Sequence, residues 1–167
     1  MVRLEKFEKS DYQNLIRWAL DEQLTFIFSG GIFSYPITND QLDEYLNENN
    51  RMVFKVIETQ YARVIGHAEL NQIDHKNKSS RICRVLIGEE NYRGKGYGEK
   101  IIKELVRIGF EDLKLHRIDL GVHESNKRAI RCYEKCGFKI EGLLRDTMKF
   151  RGKYWSAYNM SILNHKL

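Results

Sequence analysis

Residues 91–98, Asn91-Tyr92-Arg93-Gly94-Lys95-Gly96-Tyr97-Gly98, set three glycines and two cations between a strand-like apolar run and an amphipathic helical one. Glycine adopts φ > 0 without steric cost and lets a ligand approach the backbone. A helix beginning here turns its unpaired N–H groups and the positive end of its dipole toward the loop. The stretch therefore reads as an anion cradle, with Arg93 and Lys95 supplying charge for phosphates. It is not a Walker A loop, which needs Gly-x-x-x-x-Gly-Lys followed by Ser or Thr. A dinucleotide fingerprint started at Gly94 also fails, because its last glycine position holds Glu99.

Working outward, residues 97–113 repeat apolar side chains at helical spacing: Ile101, Ile102, Leu105, Ile108 and Phe110 form the stripe, with charged residues opposite. Upstream, the runs 52–58, 64–73 and 81–87 are separated by polar turns, which predicts an antiparallel meander. Before them come a strand over 2–7, a helix capped by Ser10-Asp11 and carrying Leu15, Ile16 and Trp18, and a second helix capped near 38–40. Residues 25–38 between those helices read as an aromatic, glycine-containing loop whose Phe26, Phe28, Phe33 and Tyr35 either plug the core or wall a substrate pocket. Downstream, the pattern gives a strand over 118–122, a helix from Ser125 or Asn126 to Gly137, and strands over 139–150 and 154–163 flanking Arg151-Gly152-Lys153. The order β-α-α-β-β-β-α-β-α-β-β describes one α+β domain over residues 1–167, with a mixed, mostly antiparallel sheet flanked by helices.

Composition agrees with a single globular domain: 42% of the 167 residues are hydrophobic and a single proline leaves no linker. The net charge of +5 comes from cations spread along the chain, which fits an anionic cofactor better than nucleic acid. No apolar run reaches the length of a signal peptide or membrane span, so a cytoplasmic protein is expected. Cys83, Cys132 and Cys136, with five scattered histidines, lack metal-ligand spacing and predict free thiols and no metal.

The string Arg-x-x-Gly-x-Gly at 93–98 resembles the pyrophosphate loop of the GNAT N-acetyltransferases, which use acetyl-coenzyme A. Residues 126–138, Asn-Lys-Arg-Ala-Ile-Arg-Cys-Tyr-Glu-Lys-Cys-Gly-Phe, resemble the second signature of that family, and the element order over the whole chain matches its fold. The tail, Glu141-Gly142-Leu143-Leu144-Arg145 with Gly152-Lys153-Tyr154, is similar to the branch of ribosomal-protein N-terminal and spermidine acetyltransferases. The resemblance implies that the backbone of Arg93, Gly94, Lys95, Gly96, Tyr97 and Gly98 holds the coenzyme A pyrophosphate. It implies too that Leu86, Ile87 and Gly88 pair with the pantetheine arm like another strand, and that Asn126, Ala129 and Tyr133 lie against the cofactor. Where the family carries a proline, this chain has Glu90.

Tyr133 taken alone reads as a core aromatic; the resemblance makes it the general acid that protonates the departing sulfur. An amine with a pKa of about 10.4 must first lose a proton. Glu69, in Gly66-His67-Ala68-Glu69-Leu70, is the candidate base or amine binder, against a solvated strand-face carboxylate. Glu89, Glu90, His67, His123 and a water chain stand behind it. Cys132 has no sequence-near histidine to activate it, so direct attack on the thioester is expected rather than a covalent relay. The expected acceptor is a primary amine, either a protein N-terminus or a small molecule such as a polyamine, aminoglycoside or amino sugar, with Phe28, Tyr35 and Glu69 around it. The enzyme acts alone or as a homodimer, without nucleic acid or membrane. A catalytically silent coenzyme A-binding sensor is the alternative.

Overall fold

The computed structural model describes residues 1–165. Strands β1 (Val2–Lys6), β2 (Met52–Glu58), β3 (Arg63–Asp74), β4 (Ser79–Ile87), β5 (Arg117–His123), β6 (Lys139–Phe150) and β7 (Lys153–Leu163) form one sheet in the order β1-β2-β3-β4-β5-β7-β6. Every neighbouring pair is antiparallel except β4 and β5. The tight reversals carry residues with positive φ, Ala62 and Lys78 in the meander and Arg151 with Gly152 at the β6–β7 hairpin. Two successive positive φ values are what a short hairpin turn requires.

The parallel pair needs a crossover, and helix α4 (Tyr97–Arg107) supplies it. Its predicted stripe is buried: Ile101, Ile102 and Leu105 are fully enclosed, and Ile108 continues the stripe into a wide turn over Ile108–Asp112. Helix α5 (Lys127–Lys135) packs beside α4 on the same sheet face, over a core that includes Val56, Ile65, Leu70, Ile118, Leu120 and Met160. The opposite face carries α1 (Tyr12–Trp18), α2 (Glu22–Ser29) and α3 (Asn39–Leu46), with Leu15, Trp18, Phe33, Leu42 and Tyr45 in a second core.

Helix α2 departs from the expected order. The sequence reading placed a loop from residue 25, but a helix runs to Ser29 and the irregular segment begins only at Gly30. Phe26-Ile27-Phe28 is a poor helix former by propensity, and the helix is set by its ends. The Asp21 carboxylate accepts from the Leu24 N–H at 2.7 Å, and Gly30, at φ 63, closes the last turn with its N–H on Phe26 O. Packing then holds it. Phe28 is buried, and Phe26 stacks on Phe150 with ring centroids 4.7 Å apart.

Candidate active site

β4 and β5 pair only from Ser79↔Arg117 to Ile82↔Leu120. Beyond that point β4 runs on to Ile87 bonded only to β3, and β5 runs on to His123 bonded only to β7, so their facing edges have no partner across the gap. A bulge at Arg84 parts them. One β3 residue, Ala68, faces two on β4, Arg84 and Val85, and Arg84 stands at φ 49. That conformation costs a non-glycine residue about 1–2 kcal/mol. It is held by the Arg84 carbonyl, which accepts from His67 Nδ1 at 2.8 Å. A cavity of about 470 Å³ passes through the gap, lined by Cys83 to Leu86, Gly121 to His123, Asn126 and Tyr133, with α2 and the β6–β7 hairpin on its far side.

The glycine loop lies at the open end of this gap. Gly94 and Gly96 have φ of 78 and 79, and Gly96 caps α4, so the first N–H groups of that helix face the loop. The expected charge pattern needs one correction. The Arg93 guanidinium is turned back onto β4, where Nε and Nη2 donate to the carbonyls of Ile87 and Gly88, each at 2.9 Å. Arg93 therefore staples the loop to the strand. The guanidinium over the loop belongs to Arg128, whose Nη2 lies 3.2 Å from where a Cβ on Gly94 would sit. Nothing local in the sequence pairs residues 94 and 128; only the docking of α5 beside α4 does. Two glycines at positive φ, the start of α4 and the Arg128 guanidinium fit the pyrophosphate of coenzyme A. Gly88 has its own constraint, since the Trp18 indole fills the place of its Cβ.

Asn126 lines the cavity and caps α5, accepting from the Ala129 N–H at 3.1 Å. The Tyr133 side chain is half-buried, and desolvation, with the neighbouring thiols of Cys132 and Cys136, pushes its hydroxyl up to about 12. It stays protonated at neutral pH.

Glu69 is placed differently from either sequence alternative. It is fully buried, not solvated, and is absent from the cavity wall. Its carboxylate accepts from the Tyr45 hydroxyl and from Arg84 Nη1 at 3.2 Å, with Arg51 Nη1 at 3.8 Å. Burial raises its pKa, against the two arginines and Tyr45. His67 is enclosed too; burial lowers its pKa to about 4, so the ring is neutral and donates from Nδ1. For Glu89, burial opposes the charge, but Trp18, Arg17 and Arg63 outweigh it and hold the carboxyl below the usual range. Glu90 is exposed, outside the cavity. His123 is on the wall, its Nδ1 bonded to the Ser125 hydroxyl at 2.6 Å and accepting the Ser125 N–H at 3.2 Å, its ring edge-on to Trp155. Phe28 lines the cavity, whereas Tyr35 is 47% exposed and lies outside it. Cys132 is not on the wall either. No helix among the described residues is long and apolar enough to cross a membrane, and none of their His, Cys, Asp and Glu side chains form a metal-binding group.

The profile of the acetyltransferase (GNAT) family matches residues 12–138. A spermidine N(1)-acetyltransferase of Vibrio cholerae serotype O1 is 32% identical over 143 residues, 86% of this chain and 81% of that one. The spermidine N(1)-acetyltransferase of Escherichia coli K12 is 30% identical over 168 residues, 99% of this chain and 87% of that one. The crystal structure of the Vibrio cholerae spermidine N-acetyltransferase in complex with CoA and spermine superposes with a TM-score of 0.83 at 27% identity, covering 97% of this chain and 95% of that one. The chain belongs to the acetyltransferase (GNAT) family and is an N-acetyltransferase that takes its acetyl group from acetyl-coenzyme A.

Proposed function

We infer that this chain acetylates a primary amine by direct attack, with Tyr133 returning a proton to the sulfur. The observation that carries the reading is Tyr133, half-buried on the wall of the gap between β4 and β5 with its hydroxyl protonated at neutral pH. Acetyl-coenzyme A supplies an activated thioester carbonyl. Backbone N–H groups around Gly94, Gly96 and the start of α4, with Arg128, bind its phosphates; the end of β4 and the residue after it, Leu86 to Gly88, hold its amide-bearing arm once the Arg93 guanidinium gives up the carbonyls of Ile87 and Gly88. The amine nitrogen forms the new C–N bond as C–S breaks, the sulfur takes the Tyr133 proton, and the proton lost by nitrogen leaves through water. Water is favoured for that last role because no Asp or Glu lines the cavity and the Nδ1 lone pair of His123 is already taken by Ser125.

The named activity of the relatives favours a polyamine acceptor. The cavity wall weighs the other way, since its charged side chains are Arg81 and Arg84. We therefore read the acceptor as a primary amine of low positive charge. Three free cysteines agree with a cytoplasmic enzyme. Self-association belongs to the same reading: a Vibrio cholerae spermidine N-acetyltransferase is dodecameric, and here the edge strand β6 exposes Ile140, Leu143 and Leu144.

The test of Tyr133 is Tyr133→Phe, which keeps the ring and removes the hydroxyl. General acids contribute roughly 10²- to 10⁴-fold, so kcat for thiol release should fall by that order while acetyl-coenzyme A affinity and melting temperature hold. A variant within about twofold of the parent would show that water protonates the sulfur.

A further inference from the structure

The charges facing the cavity are one-sided, with two arginines on its wall and no carboxylate. Arg84 is committed to Glu69 and almost wholly enclosed. Arg81 is not. It stands near the closed end of the gap, opposite Asp119 in the parallel register. Its Nη1 donates to Asp119 Oδ1 at 2.7 Å and to Asn159 Oδ1 at 2.9 Å, which fixes the guanidinium plane. Its Nη2 lies over Gly121, 2.7 Å from where a Cβ would sit. A side chain at 121 would displace it, so the absence of one keeps that nitrogen at the cavity floor. Asp119 also accepts from Arg117 Nη2 at 3.1 Å, and Arg117 in turn is bound through both Nη atoms by Glu141 at 3.0 and 2.6 Å, so these two carboxylates engage Arg117 and Arg81 Nη1 and leave Arg81 Nη2 over the cavity. A guanidinium held in plane by one nitrogen, with another left over a cavity, is suited to binding a carboxylate.

We propose that the acceptor amine carries a carboxylate, which Arg81 binds at the cavity floor while the amino group lies toward the bulge and Tyr133. The proposal rests on the acetyl-transfer reading above and adds the acceptor's chemistry to it. Arg81 and Arg84 are three strand positions apart, about 10 Å along β4. The amine and the carboxylate are therefore separated by a spacer of several atoms, as in an ω-amino acid or a lysine-like side chain. A polyamine instead brings extra ammonium groups to a wall that has guanidiniums and no carboxylate to receive them.

Thiol release from acetyl-coenzyme A, measured with length-matched acceptors, tests this: butylamine, 1,4-diaminobutane, 4-aminobutyrate and 6-aminohexanoate, with spermidine alongside. An aminocarboxylate should exceed both butylamine and the diamine in kcat/KM by at least about tenfold, the loss expected for one charge-assisted contact. Arg81→Gln should bring the ratio of aminocarboxylate to butylamine close to one, and Arg81→Lys should keep part of it. Melting curves of both variants identify any fold defect, and the parent protein's own panel decides the proposal if they fail to fold. Better turnover of spermidine or diaminobutane than of either aminocarboxylate overturns the carboxylate proposal and leaves acetyl transfer standing. An unchanged preference in a folded Arg81→Gln variant removes Arg81 from it. Failure of every amine to release thiol overturns the acetyl-transfer reading itself.

Discussion

Glu69→Gln separates a buried structural anion from a catalytic base. The side chain is fully enclosed and accepts from Tyr45 and Arg84, with Arg51 close by, so the substitution leaves two guanidiniums beside a neutral amide. Arg51 has little other compensation, since Glu48 is 3.9 Å away and largely exposed. Two nitrogens of Arg51 and Nε of Arg84 are already buried without hydrogen-bond partners. Removing one member of a buried ion pair costs about 3–5 kcal/mol. An unfolding entropy of about 2.1 cal/mol/K per residue, over 167 residues, is about 0.35 kcal/mol/K, so the melting temperature should drop by roughly 9–14 °C. Melting and thiol-release kinetics on one preparation, the latter well below the new transition, make the assay. The expected result is a large drop in stability with kcat within about tenfold of the parent. A variant that melts within about 2 °C of the parent and loses 10²-fold or more in kcat would refute the structural account and restore Glu69 as the base.

Arg128→Ala should raise the KM for acetyl-coenzyme A about tenfold with little change in kcat, because Arg128 rather than Arg93 presents its guanidinium over Gly94; an unchanged KM would return the phosphate charge to Lys95 or to the backbone alone. With water accepting the amine proton, log(kcat/KM) for the acceptor should climb with unit slope up to the amine's own pKa. Tyr133 imposes no fall below its raised value of about 12, and a plateau with an apparent pKa near 6–7 would reveal a protein base. Light scattering at micromolar concentration should find an oligomer that Leu144→Asp on β6 weakens, and a monomeric parent protein would remove that part of the reading.

Much of the fold was legible because its signals are local. Thr38 caps α3 by accepting from Gln41, Asn126 caps α5, and Arg151-Gly152 make the hairpin turn, all within three or four residues of the atoms they bind. The stripe of α4 needed only its own periodicity. Helix α2 was missed because its interior resists helix formation while its two ends favour it, and a reading weighted to the interior sees a loop. The site was legible on the same terms. Gly94 and Gly96 announce a turn and a helix start, whereas the guanidinium above them comes from another helix and the one below the loop turns back to β4.

Glu69 shows what strand alternation does not encode. A carboxylate in a strand reads as solvated unless its counter-ions are known, and Arg84 and Arg51 approach it from the next strand and from the loop before β2. Arg84 arrives because of the bulge. The same extra residue that parts β4 from β5 places the Arg84 carbonyl on His67 Nδ1 and its guanidinium on Glu69. The gap between β4 and β5 and the buried charge cluster are thus two sides of one irregularity in β4. If the cluster loosens, the φ of 49 at Arg84 loses one of the contacts that hold it, and the spacing of the gap goes with it. Glu69 thus ties β3 to the bulged strand that borders the cavity while lying outside the cavity wall itself.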